Sequence, residues 1–168
     1  MNRKILLLVI LISAAALSAV AAVQMLTQSD LVRIRIATAQ FHRPADARAA
    51  GYVQVPGLDA CFEKPGSGGM GFHYIDTVEL NNTTLNLQRP EALVYTPGPN
   101  GILELGAVEY IVRKDLWDAT GSSALPKLNG MSLHLEPSLG VYILHVCAWK
   151  NNPAGMFEDW NPAVALCP

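Results

Sequence analysis

Three ionisable residues occupy positions that strand alternation assigns to buried faces. In the run from Leu103 to Ile111, residues 103, 105, 107 and 111 are Leu, Leu, Ala and Ile. Period-two alternation therefore places Glu109 on an apolar face. The same count over Val141 to Trp149 puts His145 with Val141, Ile143, Cys147 and Trp149, and His73 sits between Phe72 and Tyr74. A carboxylate or imidazole buried alone is costly, so each of the three needs a partner. Brought together by three strands, His73, Glu109 and His145 form a His2Glu set suited to zinc, manganese or iron, with positions open for water or substrate. Without a metal the same three are the parts of a general acid–base site. The plainer reading satisfies each separately, by backbone groups or by pairing Glu109 with an arginine.

Other residues with chemical potential are weaker. His42, near a helix end, is either a fourth ligand or a cap on helix carbonyls. His134 alternates with Ser132 and Glu136 on a solvent-like face. Met70 and Met156 each follow a glycine, and with His73 and His145 they make a set suited to Cu(I), although methionines beside aromatics more often pack. Gly66-Ser-Gly68-Gly-Met-Gly71 matches G-x-G-x-x-G, but Pro65 precedes it and the strand-like Phe72–Ile75 follows. The fingerprint needs a strand before and a helix after, so dinucleotide binding is rejected. The glycines instead allow a sharp turn or a close backbone approach just before His73. G-x-S-x-G, HExxH, CxxC and P-loop patterns are absent.

The elements that must position these groups are legible in outline. Ser29 is an N-cap candidate before Leu31, Val32, Ile34, Ala37, Thr38 and Phe41, which recur at helical spacing. Pro44 interrupts the pattern and restarts a helix that Gly51 ends. From Tyr52 onward Gly and Pro recur between β-rich runs at residues 72–75, 92–96, 102–112, 131–135 and 141–149. Asn100-Gly101 predicts a type I′ hairpin joining the second and third of these runs. Helix first and strands after give an α+β fold: an N-terminal helix, kinked or split at Pro44, packed on an antiparallel sheet that could close into a barrel.

The chain has 168 residues, and its first 21 read as a signal peptide: a basic Asn-Arg-Lys start, an apolar run from Ile5 to Val20, and Ala19-Val-Ala21 before the cut. The alternative is an uncleaved anchor, the one route to a membrane. Residues 22–168 then form a single α+β domain of 168 − 21 = 147 residues. Without Arg3 and Lys4 it has 12 − 2 = 10 basic against 14 acidic residues, a poor match for nucleic acid. Export implies an oxidising compartment, secreted or periplasmic, and three cysteines allow one bridge. Cys147 sits in an apolar strand as a small hydrophobe, so Cys61 pairs with Cys167. The tail from Asn151 to Pro168, with Asn-Pro twice and Met156, Phe157 and Trp160, either completes the core as a disulfide-held flap or covers His145 as a lid.

A resemblance rests on Ala37-Thr-Ala-Gln-Phe-His42, Ala50-Gly-Tyr-Val53, Gly69-Met-Gly-Phe-His-Tyr74, Arg89-Pro-Glu-Ala-Leu-Val-Tyr95, Val108-Glu-Tyr110, Leu144-His145 and Asn152-Pro-Ala-Gly-Met-Phe157, with Asn161-Pro162 and both Cys61 and Cys167. These phrases resemble an uncharacterised family of small exported bacterial proteins with GMGxHY and NPxGMF motifs. The likeness implies bacterial export and brings no activity, substrate or cofactor. Cys147 departs from the family's pattern, which has Trp there, and that implies packing for Cys147 and a Cys61–Cys167 bridge. The functional expectation is an exported globular protein with a polar pocket of His73, Glu109 and His145, serving a metal-dependent or acid–base enzyme. The alternatives are a non-catalytic module binding a small-molecule ligand or a partner protein, and a copper-handling protein.

Overall fold

The computed structural model describes residues 28–167, so the signal peptide lies outside the described residues. The chain divides into two compact units, Met1–Arg33 and Ile34–Pro168. In the first, residues 28–33 are helical, with Arg33 beside Asp30 at 3.6 Å. The helical run already includes Gln28, so Ser29 lies inside it and is not its N-cap. No described helix is long and apolar enough to cross a membrane.

The second unit opens on helical residues 34–38 (α1), which tighten into a 310 turn at Ala39–Phe41. After Arg43 in extended conformation, Pro44 starts α2 (Pro44–Ala49) at a position where its missing N–H costs nothing. Gly51, at φ +101°, ends it with its amide on the Arg48 carbonyl. The strands are β1 (Tyr52–Val53), β2 (Cys61–Lys64), β3 (Gly68–Asp76), β4 (Ala92–Pro97), β5 (Leu103–Arg113), β6 (Lys127–Leu128), β7 (Met131–Ser132), β8 (His134–Glu136) and β9 (Val141–Val146). A short α3 (Lys114–Ala119) follows β5. The main sheet runs β1-β3-β4-β5-β9-β8, antiparallel throughout, with β2 also on β3. It stays open and does not close into a barrel, while β6 and β7 pair separately.

The two faces of the sheet are dressed differently. One carries Tyr74 and Tyr95, whose rings meet edge to face at 5.0 Å, and α2 with the preceding 310 turn covers it. Tyr95 donates to the Phe41 carbonyl at 2.6 Å, and Arg48 lies 5.9 Å from the Tyr74 ring centre. The opposite face carries His73, Ile75, Ala92, Glu109, Ile111, Ile143 and His145. Its apolar centre is Ile75, Ala92, Ile111 and Ile143.

Three sequence expectations fail locally. The β4–β5 connection is a five-residue loop with a 310 turn at Pro99–Gly101, not a two-residue type I′ turn, although the two strands do pair. In β5, Tyr95 faces Leu105 while Val94 faces Ala107, so an extra residue is inserted at Gly106. A side chain at Gly106 would meet Thr96 Cγ2 at 2.6 Å. The bulge turns Leu105 to the tyrosine face and leaves Ala107, Glu109 and Ile111 on the other. Glu109 is thus buried as its pattern predicts, but not beside Leu103 and Leu105. The run 131–135 is also divided: β7 pairs β6, β8 pairs β9, and Leu133 is buried between them.

The tail is fastened at several points. Asn161 exchanges backbone contact with Gly69, its amide on the Gly69 carbonyl at 3.0 Å. Gly68 has φ +123°, and a Cβ there would lie 2.2 Å from the Asn161 carbonyl oxygen. The glycine run therefore makes room for the tail, not for a phosphate. Cys61 and Cys167 form a disulfide with Cα atoms 5.7 Å apart, as expected. Such a bridge fits an oxidising, extracellular or periplasmic setting.

Candidate functional site

His73, Glu109 and His145 come together. Register does it: Glu109 stands directly opposite His145 across β5 and β9, and opposite Ala92 across β5 and β4. His73 is opposite Val94, one step along β3 from Ile75, which faces Ala92. Because Ala92 is small, nothing on β4 stands between the His73 ring and the Glu109 carboxylate. Glu109 Oε1 accepts from His145 Nδ1 at 3.0 Å, and Oε2 stands 3.4 Å from His73 Nε2. Each oxygen of one carboxylate thus has its own imidazole. All three residues are buried, at 7%, 3% and 2% exposure for His73, Glu109 and His145.

Opposing effects set the charges here. Burial alone would raise the Glu109 carboxyl, yet the two histidines outweigh it and hold it well below the usual carboxylate range. For His145, burial pushes the imidazole down, while hydrogen bonds to Cys147 and Glu109 prevail and raise it to about 10. Both shifts favour a Glu109 carboxylate facing a protonated His145 ring. Behind His145, the Cys147 thiol takes a hydrogen bond from Asn152 Nδ2 at 3.4 Å. Strand β9 ends at Val146, so Cys147 lies one residue past it, buried, with its amide on the Met156 carbonyl.

His73 and Glu109 form part of the wall of a cavity of about 1010 Å³. Ile75, Leu80, Ile111, Ile143 and Trp160 make much of the remainder. Phe62, from β2, sets its ring edge to face with His73 at 5.0 Å. One nitrogen of His73, Nδ1, is buried without a hydrogen-bond partner. The Trp160 wall comes from the tail, so the tail both completes the core and encloses the cavity. Asn152 Nδ2 organises it by donating to the Glu158 and Trp160 carbonyls, each at 3.1 Å.

Among the described residues, no group of three or more His, Cys, Asp or Glu is placed to hold a metal ion. The reason is local: the Glu109 oxygens point at two different ring nitrogens as hydrogen-bond and ion-pair partners. His42 stands at the C-cap position of the 310 turn, and its ring packs against Trp149 at 4.3 Å. Met70 lines the cavity wall with His73, whereas Met156 is not among its lining residues.

Sequence reasoning missed two members of this wall. His134 is half exposed, yet its Nε2 lies 3.2 Å from Asp159 Oδ2, and both residues line the cavity. Asp159 belongs to an irregular tail where no periodicity signals burial; burial raises its carboxyl, against the pull of His134 and His145. A second missed carboxyl, Glu91, is structural. It accepts the Ile111 amide at 3.0 Å, and burial raises it to about 8.

No protein-family model, curated protein or solved structure matches the chain.

Proposed function

We propose that this is an exported bacterial protein that takes a small molecule into the His73 cavity and acts on it by acid–base chemistry. The single observation that carries the reading is the bracketed carboxylate: Glu109 holds one oxygen against each of two imidazoles at the base of an apolar cavity. A carboxylate that orients an imidazole is the usual support of a general base. In this reading His73 is the proton-transferring group. Glu109 fixes its ring with the Nε2 proton toward Oε2, which leaves the Nδ1 lone pair for a proton on the ligand. His145 is a positioning residue, its charge keeping Glu109 ionised. The isoleucines beside Glu109 lower the local dielectric and strengthen each of these interactions. Export rests on the N-terminal signal pattern, on the family resemblance and on the disulfide.

Indole is a suitable probe, since it is apolar, compact and small against the cavity. Methyl NMR of the purified protein should show Ile75, Ile111 and Ile143 shifting on indole addition, with the shifts reduced in His73→Trp, which fills the site. Shifts confined to the tyrosine face, or identical in the variant, would contradict a His73 pocket.

The second reading, a non-catalytic binding module, draws on the same apolar wall. It separates from the first at His73: a binding module tolerates His73→Asn with its ligand still bound, whereas an acid–base site loses its proton transfer.

A further inference from the structure

The charges around the cavity point to what enters it, given the pocket reading above. Its wall contains five acids, Glu109, Asp115, Asp118, Glu136 and Asp159, against two permanent cations, Arg113 and Lys114, besides the histidines His73 and His134. Both cations are already engaged, Arg113 with Asp115 at 2.6 Å and Lys114 with Asp118. Glu136 accepts from the Ser138 amide and hydroxyl, and Glu109 lies between its two histidines. Asp159 is different. One oxygen meets His134, while Oδ1 is buried and without a partner.

The other buried side-chain atom without a partner among the described residues is His73 Nδ1, on a ring more than nine-tenths buried. Both orphaned atoms thus belong to residues of one cavity wall. A carboxylate oxygen only accepts, and the Nδ1 of a neutral ring whose Nε2–H faces Glu109 also accepts. A buried polar atom left unpaired is costly, so both sites call for donors. A carboxylate supplies none, and a carboxylate or a phosphate would meet an excess of negative charge.

We infer that the cavity takes a small apolar or aromatic amine, whose N–H groups satisfy Asp159 Oδ1 and His73 Nδ1 while its body packs on Ile75, Ile111, Ile143 and Trp160. An ammonium carries three donors and no acceptor. Trp160, in the same wall, is the aromatic type that attracts a cation most strongly.

Three molecules that share an indole body separate the terms: tryptamine, tryptophol and indole-3-acetate, titrated calorimetrically into the full-length protein at neutral pH and low salt. Tryptamine should bind at least tenfold more tightly than tryptophol and a hundredfold more tightly than indole-3-acetate. Asp159→Asn, at a partly exposed position outside the sheet, should bring tryptamine within threefold of tryptophol. Equal affinities for the three, an unchanged tryptamine preference in Asp159→Asn, or no binding of tryptamine would each overturn the inference. Indole shifting the cavity methyls while the amine gains nothing would leave the pocket standing and remove only its amine selectivity.

Discussion

Glu109 and His145 face each other across the β5–β9 ladder, and the Nδ1–Oε1 hydrogen bond of 3.0 Å ties the carboxylate to the one imidazole that lies behind the cavity wall. The pair is buried on both sides, so its charges depend on each other. Removing one charge leaves the other uncompensated in a low-dielectric interior, and that penalty exceeds the worth of any surface ion pair.

Glu109→Gln should therefore destabilise the fold by about 3–5 kcal/mol, read from urea unfolding at pH 7. The double variant Glu109→Leu/His145→Leu should recover much of that loss, because no unpaired charge remains. Additive single and double effects would mean that the two residues are independent, contrary to the geometry.

Stability should decline on both sides of a mildly acidic optimum. Glu109, held below its ordinary value, contributes stability above that value, and the contribution is lost as pH falls through the lowered one. His145, raised from 6.5 to about 10, contributes stability that is complete below 6.5 and lost as pH rises toward 10. Glu91, raised from 4.5 to about 8, binds its proton more tightly in the fold, so stability also falls between those two values. Thermal melts from about pH 2 to 10 check the profile, and Glu91→Gln should flatten its segment between 4.5 and 8. A melting temperature that climbs from pH 6 to 9 would contradict these assignments.

How much of this was readable beforehand depended on periodicity. Alternation exposed Glu109 and His145 because β5 and β9 are long enough for a pattern, and His73 because its neighbours are large and apolar. The helix broken at Pro44 and the Cys61–Cys167 bridge were legible for similar reasons: a proline leaves one strong local signal, and a cysteine among apolar residues usually packs. What alternation could not reveal was the bulge at Gly106, since one inserted residue changes no composition and yet exchanges the faces of Leu105 and Ala107. Asp159 and His134 escaped because their pairing depends on where the tail lies, which the side-chain amide of Asn152 and the distant Asn161–Gly69 backbone bridge decide. The open sheet, too, depends on strand twist and edge length, for which no single residue speaks.

Gly71 offers a test of how closely the strands approach beside the site. At φ +116° a Cβ would lie 2.3 Å from the Tyr95 carbonyl oxygen. Gly71→Ala combines backbone strain with a clash against main chain and should cost about 3 kcal/mol or more. Gly66→Ala, where φ is +83° but space is open, should cost only about 1 kcal/mol. Comparable losses in the two variants, by urea unfolding, would remove the steric account of Gly71.

The disulfide closes a loop of 106 residues. Loop-closure entropy puts its contribution on the order of 4.7 kcal/mol, so the Cys61→Ala/Cys167→Ala variant should lose a few kcal/mol. It should also loosen the tail around Trp160, seen as faster amide exchange from residue 156 onward. Exchange unchanged there would show that the Asn152 and Asn161 bonds hold the tail alone.

The acid–base claim is tested most directly by long-range 1H–15N NMR of the histidine rings in the folded protein, with Glu109→Gln alongside. The account predicts that the neutral His73 ring bears its proton on Nε2 with a bare Nδ1, that His145 is doubly protonated, and that Glu109→Gln abolishes both signatures. A His73 ring protonated on Nδ1 with Nε2 bare, or ring states indifferent to Glu109→Gln, would contradict it.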